Sequence, residues 1–448
     1  MSSDNPGAPA APKTVTLEEA ILAAQHLQRS LKLDAAEGIY QEILQRIPEE
    51  PNALHYLGVL RHQQGRNDEA VELIHRAIAR LPGDAAPWLN LGNVLLESQR
   101  YDDAVDAYKQ AAEYAPANLL IYSNLGVLHA RRQSFEPAEA CYQHALSLAP
   151  NAETVLHNYA RMLQYQGRYE EATAYNIKSL DINPDDPKAR RMLSMSQALL
   201  GDMAAARAVL HEWLARDPGN PEATHLLAAA GGLAVPARAS DDYIAAEFDS
   251  FSNSFDSKLE RLDYRAPQLV TEALTRALAP ATATGAILDA GCGTGLCGPY
   301  LRPLTEWLDG VDLSAGMLAK ARGRGGYDSL AQAELTDYLA QNKARWDAVV
   351  SADTLCYFGD LAAVFSAARH ALKPQGLLAF SVEALADDDA DYHLHYHGRY
   401  AHSRVYLERS LREAGLVPLT IDAAVLRKEV QRPVQGWIAV ARNAVAPD

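Results

Sequence analysis

From Leu17 to Asn220 small, bulky and helix-ending residues recur in a fixed phase, and the whole pattern returns every 34 residues. Prolines stand at Pro48, Pro82, Pro116, Pro150, Pro184 and Pro218, and alanines at Ala36, Ala70, Ala104, Ala138, Ala172 and Ala206. Four residues after five of these alanines comes a bulky apolar side chain: Tyr40, Ile74, Tyr108, Tyr142 and Leu210. The fifth copy departs, with Asn176 in that place and Tyr175 beside it. Gly58, Gly92 and Gly126, then Ala160 and Ser194, keep a small residue where two helices would touch. Each copy therefore predicts helix, turn, helix, with the proline ending the second helix because it cannot continue one. The pattern divides the chain into a disordered tail over 1–16, six repeats over 17–220, a capping helix and linker over 221–240, and a second domain over 241–448.

The stretch WLNLGNVLLESQRYDDAVDAYKQAAEYAP, from Trp88 to Pro116, closely resembles the tetratricopeptide consensus. That resemblance implies an all-α solenoid whose concave face receives partners. Asn90, Asn124 and Asn158 occupy one register position in three successive repeats. They resemble the asparagine ladder of the tetratricopeptide superhelix in O-linked N-acetylglucosamine transferase, which grips peptide backbones. A side-chain amide both donates and accepts, so such a row suits an extended peptide. Asparagines that only satisfy local backbone groups would give the same spacing.

Beyond residue 240 the pattern changes to short apolar runs separated by helical stretches, the mark of an α/β fold. A lead-in, Tyr243 to Pro267, carries Tyr243, Phe248, Phe251 and Phe255 at roughly helical spacing. ILDAGCGTGL, Ile287 to Leu296, predicts a strand ending in Asp289, a glycine turn and a helix. A second strand ends in Asp312, 17 residues beyond Gly295, and further runs end at Asp353 and Glu383. LVPLTIDAAVLRKEV and VQGWIAVARN, separated by Arg432-Pro433, predict a closing antiparallel hairpin.

The glycine turn lacks the lysine of a P-loop, and Leu296 stands where a dinucleotide fingerprint needs its third glycine. What remains, Asp-x-Gly-x-Gly-x-Gly, resembles motif I of the class I S-adenosylmethionine-dependent methyltransferases. With the Lys-Pro-x-Gly turn after Leu372 and Gly-Arg-Tyr-Ala-His at 398–402, the chain is similar to bacterial methyltransferases that carry tetratricopeptide repeats. The resemblance implies a Rossmann-like, mostly parallel seven-stranded sheet with a terminal antiparallel hairpin, and S-adenosyl-L-methionine as cofactor. It implies Asp289, Gly291, Cys292, Gly293 and Gly295 around the cofactor's methionine end, where bare backbone passes close. It also implies Asp312 on the ribose, Leu313, Met317, Glu334 and Leu335 about the adenine, and Asp353 and Tyr264 at the cleft. The lead-in would be a lid.

Methyl transfer needs an aligned acceptor atom and, for a protonated oxygen or nitrogen, a base; a carboxylate acceptor needs neither. The histidine-rich segment DDDADYHLHYHGRYAHSRV offers His395 and His402 as base candidates, with Arg399 and Tyr400 holding the acceptor. His393, His395 and His397 on one face of a strand would also suit a divalent metal, and a packed lid loop would need no chemistry from them; no metal is assigned.

Composition narrows the partners. A net charge of −16 disfavours nucleic acid and anionic membrane. Cys141, Cys292, Cys297 and Cys356 form no C-x-x-C pair, and the start lacks a signal-peptide pattern, so the expectation is a cytoplasmic protein with reduced thiols. The expected activity is O- or N-methylation of a peptide or protein brought by the repeat groove. Alternatives are a small acid or sugar acceptor with the repeats serving homo-oligomerisation, or a cofactor-binding scaffold without turnover.

Overall fold

The structure, a computed structural model, describes residues 15–251, 255–260, 262–281, 283–386, 390–429 and 432–444. Most of the tail expected over 1–16 and the side chain of Phe251 lie outside the described residues. Two compact units divide the chain: Met1–Leu163 with Ala174–Asn183, and Gln164–Thr173 with Pro184–Asp448. The sixth helix pair and the helix Pro221–Ala229 therefore fold with the sheet-bearing unit.

In the first unit the phase of small and bulky residues becomes contact. The pair Ala85–Glu97 and Tyr101–Tyr114 brings Gly92 against Tyr108, where an added Cβ would stand 2.5 Å from the ring. Leu119–Arg131 and Phe135–Leu148 repeat the arrangement, with Gly126 2.6 Å by the same measure from Tyr142. Any larger side chain there would push the helices apart. In the fifth pair, Glu153–Tyr165 and Tyr169–Ile182, Asn176 is fully buried and neither side-chain polar atom meets a partner among the described residues. An unsatisfied amide of this kind costs about 1–3 kcal/mol. The division between the two units passes through that same helix.

The second unit is built on one sheet. Its strands are β1 (Thr284–Ala290), β2 (Thr305–Asp312), β3 (Ser329–Gln332), β4 (Trp346–Ser351), β5 (Leu372–Ala384), β6 (Tyr392–Leu394), β7 (Tyr400–His402), β8 (Leu416–Glu429) and β9 (Arg432–Asn443). Strands β3-β2-β1-β4-β5 are parallel; β9 runs antiparallel to β5, and β8 antiparallel to β9. Side chains alternate across the sheet. Ile287, Ala348, Val350 and Leu377 share a core with Val270 and Leu274 of the helix Ala266–Leu278. Leu288, Val349, Leu378 and Phe380 share the other with Phe365 and Ala368 of Ala362–Ala371. Burial on both faces explains why these strands read as unbroken apolar runs.

Two features place a site. First, β1 lies between β2 and β4, so the chain winds one way and then the other, leaving a crevice at the carboxyl ends of the strands. Second, the histidine-rich segment adds two strands to the seven expected: β6 and β7 form a small hairpin, and β7 pairs with β5 at Glu383 and Ala384, beyond the reach of β4.

Candidate functional site

The chain leaves β1 at Ala290 and turns sharply, with the Gly291 and Cys292 N–H groups both donating to the Val311 carbonyl at 2.9 Å. Gly291 has φ +79°, and a Cβ there would meet Thr354 at 2.2 Å, so the turn excludes any side chain. The Gly293 N–H then donates to Asp312 Oδ2 at 2.8 Å, while Oδ1 of the same carboxylate accepts from the Ser314 N–H at 2.9 Å. Asp312 thus ties the glycine turn to the start of the helix Ala315–Arg324, which Ser314 caps at the Met317 N–H. Burial pushes its carboxyl up, against the pull of the backbone donors.

These residues open onto a cleft of about 1090 Å³, its mouth included. Of the residues singled out from the sequence, Gly291, Cys292, Gly293, Asp312, Leu313, Met317, Glu334, Leu335, Asp353, Tyr264 and Arg399 line it. Glu334 also caps the helix Leu335–Ala340, accepting from the Asp337 N–H at 2.8 Å. The lead-in folds as Asp241–Phe251 and Phe255–Glu260, and puts Phe248 and Phe255 into the cleft wall, their rings 6.1 Å apart. Its acids fasten it to the glycine-turn side. Asp249 accepts from Ser314 Oγ, and Asp256 accepts from Thr294 Oγ1 at 2.5 Å while pairing with Arg324.

Five expected site residues lie elsewhere. Asp289 is fully buried and does not line the cleft; its Oδ2 accepts from the Tyr327 hydroxyl at 2.6 Å, and burial pushes its carboxyl up to about 7. Gly295, at φ +87°, makes room for Tyr327 and Ala321, 3.1 and 3.3 Å from a notional Cβ, so it serves helix packing. His402 is fully buried, with Nε2 3.1 Å from the Gly359 carbonyl, and burial pushes it down to about 4. Tyr400 is also buried and donates to the Pro236 carbonyl at 2.8 Å. His395 stacks on His397, ring centroids 5.1 Å apart, and burial lowers it. None of the histidines expected as bases lines the cleft, because the β6–β7 hairpin packs His402 inward and stacks His395 on His397. Among the described residues no group of three His, Cys, Asp or Glu side chains is arranged to hold a metal.

Arg427 was missed. It lines the cleft at 1% side-chain exposure and pairs with Asp353 at 3.2 Å, Glu429 at 2.7 Å and, in a short contact, Glu383. Arg399 joins the cluster through Nη1, 2.9 Å from Glu429 and 3.5 Å from Glu383. Strand alternation could not have found Arg427, because a register shift between Val425 and Arg427 buries Leu426 and Arg427 in succession.

In the first unit the three asparagines are half-buried and bonded to side chains. Asn90 Nδ2 lies 2.7 Å from His55 Nε2, Asn124 Nδ2 donates to Asn93 Oδ1 at 2.7 Å, and Asn158 Oδ1 accepts from Arg161 at 3.2 Å. Asn93, not singled out from the sequence, also accepts from Tyr108.

Known proteins resemble the chain in segments. Residues 261–417 match the methyltransferase domain family, and residues 49–117, 84–151 and 163–230 match tetratricopeptide repeat families. Human methyltransferase-like protein 27 is 35% identical over 136 residues, 30% of this chain and 55% of that protein. The malonyl-[acyl-carrier protein] O-methyltransferase of Acetivibrio thermocellus is 35% identical over 99 residues, 21% of this chain and 34% of that protein. This chain thus spans about half the length of the first and a third of the second. A solved S-adenosylmethionine-dependent methyltransferase from Mesorhizobium loti aligns at a TM-score of 0.31 and 22% identity, over 39% of this chain and 97% of its own. Among the described residues no helix is long and apolar enough to cross a membrane. By its family matches, the chain carries a methyltransferase domain behind a run of tetratricopeptide repeats.

Proposed function

We propose that the protein is an S-adenosylmethionine-dependent methyltransferase acting on an oxygen or nitrogen of a peptide or protein recruited by its repeats. The observation that carries the reading is the union of a bare glycine turn with the Asp312 carboxylate at the sheet's switch point. The fit to this cofactor rests on Gly293: it lines the cleft, and a Cβ there would stand in open space, so the turn leaves room for a group against its backbone. Gly291, Cys292 and Gly293 would hold the amino-acid end, Asp312 the ribose, and Leu313, Met317 and Leu335 the base. Bound there, the cofactor supplies a methyl group on a positively charged sulfur. The protein's own part is to align an acceptor and exclude water, which Phe248 and Phe255 of the lead-in serve.

The repeats supply the recruiting surface in this reading, with the chain Asn90–Asn93–Asn124 as its polar row. Calorimetry tests the first part: the parent protein should bind S-adenosylmethionine, and Asp312→Ala should bind it on the order of 100-fold more weakly, the loss of two charge-assisted hydrogen bonds. Equal affinity would end the enzyme assignment. Labelled cofactor in a cell lysate tests the second part. Label confined to small metabolites would leave the enzyme standing and remove the peptide acceptor.

A further inference from the structure

We infer that the atom methylated is a carboxylate oxygen, held by Arg399, and that the product is a methyl ester. This rests on the cofactor reading above and narrows its acceptor.

Among the described residues the cleft offers no unengaged proton acceptor to an alcohol or an amine. No histidine lines it among the described residues, and every carboxylate that lines it is already engaged. Asp312 is held by two backbone N–H groups, Glu334 by its helix, Asp241 by Arg238 at 2.6 Å, and Asp353 by Arg427. The two cleft cysteines are buried, and burial raises both thiols, so they stay protonated.

What the cleft does offer is donors. Arg399 and Arg427 line it together with Tyr264 and Tyr357, whose hydroxyls burial keeps protonated. Of the acids that balance the guanidiniums, Asp353 shares the cleft wall with them and is held by Arg427, while Glu383 and Glu429 are not lining residues and lie behind. Arg427 is consumed by three carboxylates and 1% exposed; it is a positioning residue. Arg399 is 27% exposed; its Nη1 meets Glu429 and Glu383, and the guanidinium also hydrogen-bonds the Tyr357 hydroxyl beside it in the cleft. A guanidinium of this kind matches a carboxylate in shape and charge.

An acceptor already ionised at neutral pH needs no base. A lone pair on the carboxylate oxygen forms the new O–C bond, the methyl–sulfur bond breaks with its electron pair left on sulfur, and no proton moves. Charge balances as one anion and one sulfonium become a neutral ester and a neutral thioether.

The full-length protein is incubated with cofactor labelled in the methyl group and a cell lysate, and the product is treated with mild alkali. Label released as volatile methanol is the expected result. Acid-precipitable label marks a protein carboxylate and acid-soluble label a small acid, either of which carries the ester chemistry. Label that survives alkali overturns the inference, as does an absence of transfer when calorimetry shows cofactor bound. Failure of the cofactor reading itself would instead appear as no binding at all. Arg399→Gln should lower kcat/KM for the labelled acceptor at least 100-fold and leave cofactor affinity within threefold, which also shows that the variant folds. Arg399→Lys, which keeps the charge and loses the fork, should recover part of the loss. An Arg399→Gln variant with unchanged kcat/KM would remove Arg399 from the acceptor site.

Discussion

The two sides of the cleft handle buried charge in opposite ways. On the glycine-turn side, acids sit among backbone donors and one phenol, with few cations near them. Burial dominates there, lifting Asp312 and carrying Asp289 up to about 7. On the arginine side, burial also pushes the acids up, but Arg399 and Arg427 outweigh it, holding Glu429 down to about 2 and Glu383 below its usual range. Even at similar burial, as for Asp289 and Glu383, one side keeps an acid that holds its proton and the other a fixed anion. The partner decides the protonation state, and depth alone does not.

Removing the partner should expose this difference most strongly at Arg427. Its loss leaves Asp353, Glu383 and Glu429 without the cation they share, and breaking such a buried network costs about 3–5 kcal/mol. Chemical denaturation of Arg427→Ala at pH 7 should show that loss, and a cost under 1 kcal/mol would mean the cluster is not a unit. On the opposite side a smaller effect of the other sign is expected. The native state keeps the Asp289 proton up to about pH 7, whereas the unfolded chain sheds it near pH 4, so folding takes up a proton in between. Its contribution to stability is complete below about pH 4, declines as pH rises to about 7, and is lost above. Asp289→Asn, which still accepts from Tyr327, should stabilise the protein by on the order of 2 kcal/mol at pH 8 and by almost nothing at pH 4. A gain that is flat across that window would refute the assignment.

The smallest effect concerns what sets the wall between the two sides. Arg191, on the sixth-repeat helix Pro187–Leu199, pairs with Glu247 at 2.7 Å and Glu222 at 2.9 Å. Glu247 precedes Phe248 of the cleft wall, so Arg191 acts on the cleft only through the lead-in helix. Arg191→Ala should weaken S-adenosylmethionine binding about fivefold, on the order of 1 kcal/mol, while leaving the Asp312 contacts intact. Calorimetry on the single and Asp312→Ala double variants measures whether the two losses add.

These contrasts also explain which residues could be read in advance. The glycine turn, Asp312, Leu313 and Met317 come from two consecutive strand-turn-helix units, so their order along the chain is nearly their order in space. Arg399, Arg427, Glu383 and Asp353 come from four separate segments, and Arg427 lies 74 residues from Asp353. No spacing rule links them. The placement of the histidines was illegible for a related reason: a run of His and Tyr has the composition of a chemical site, yet its pairing as β6 and β7 turns His402 and Tyr400 inward.

Two things followed from the sequence alone: the helix-pair repeat, because each pair packs on residues at fixed short offsets such as Gly92 and Tyr108, and the glycine turn after β1, because only glycine tolerates φ +79° beside Thr354. Tertiary structure alone decided which ionisable groups face the cleft and which sit behind it. That choice depends on the bulge at Val425, the added hairpin on β5 and the pairing of charges from distant strands. Long-range packing sets the burial and partners of such groups, and these are energies that no local pattern encodes.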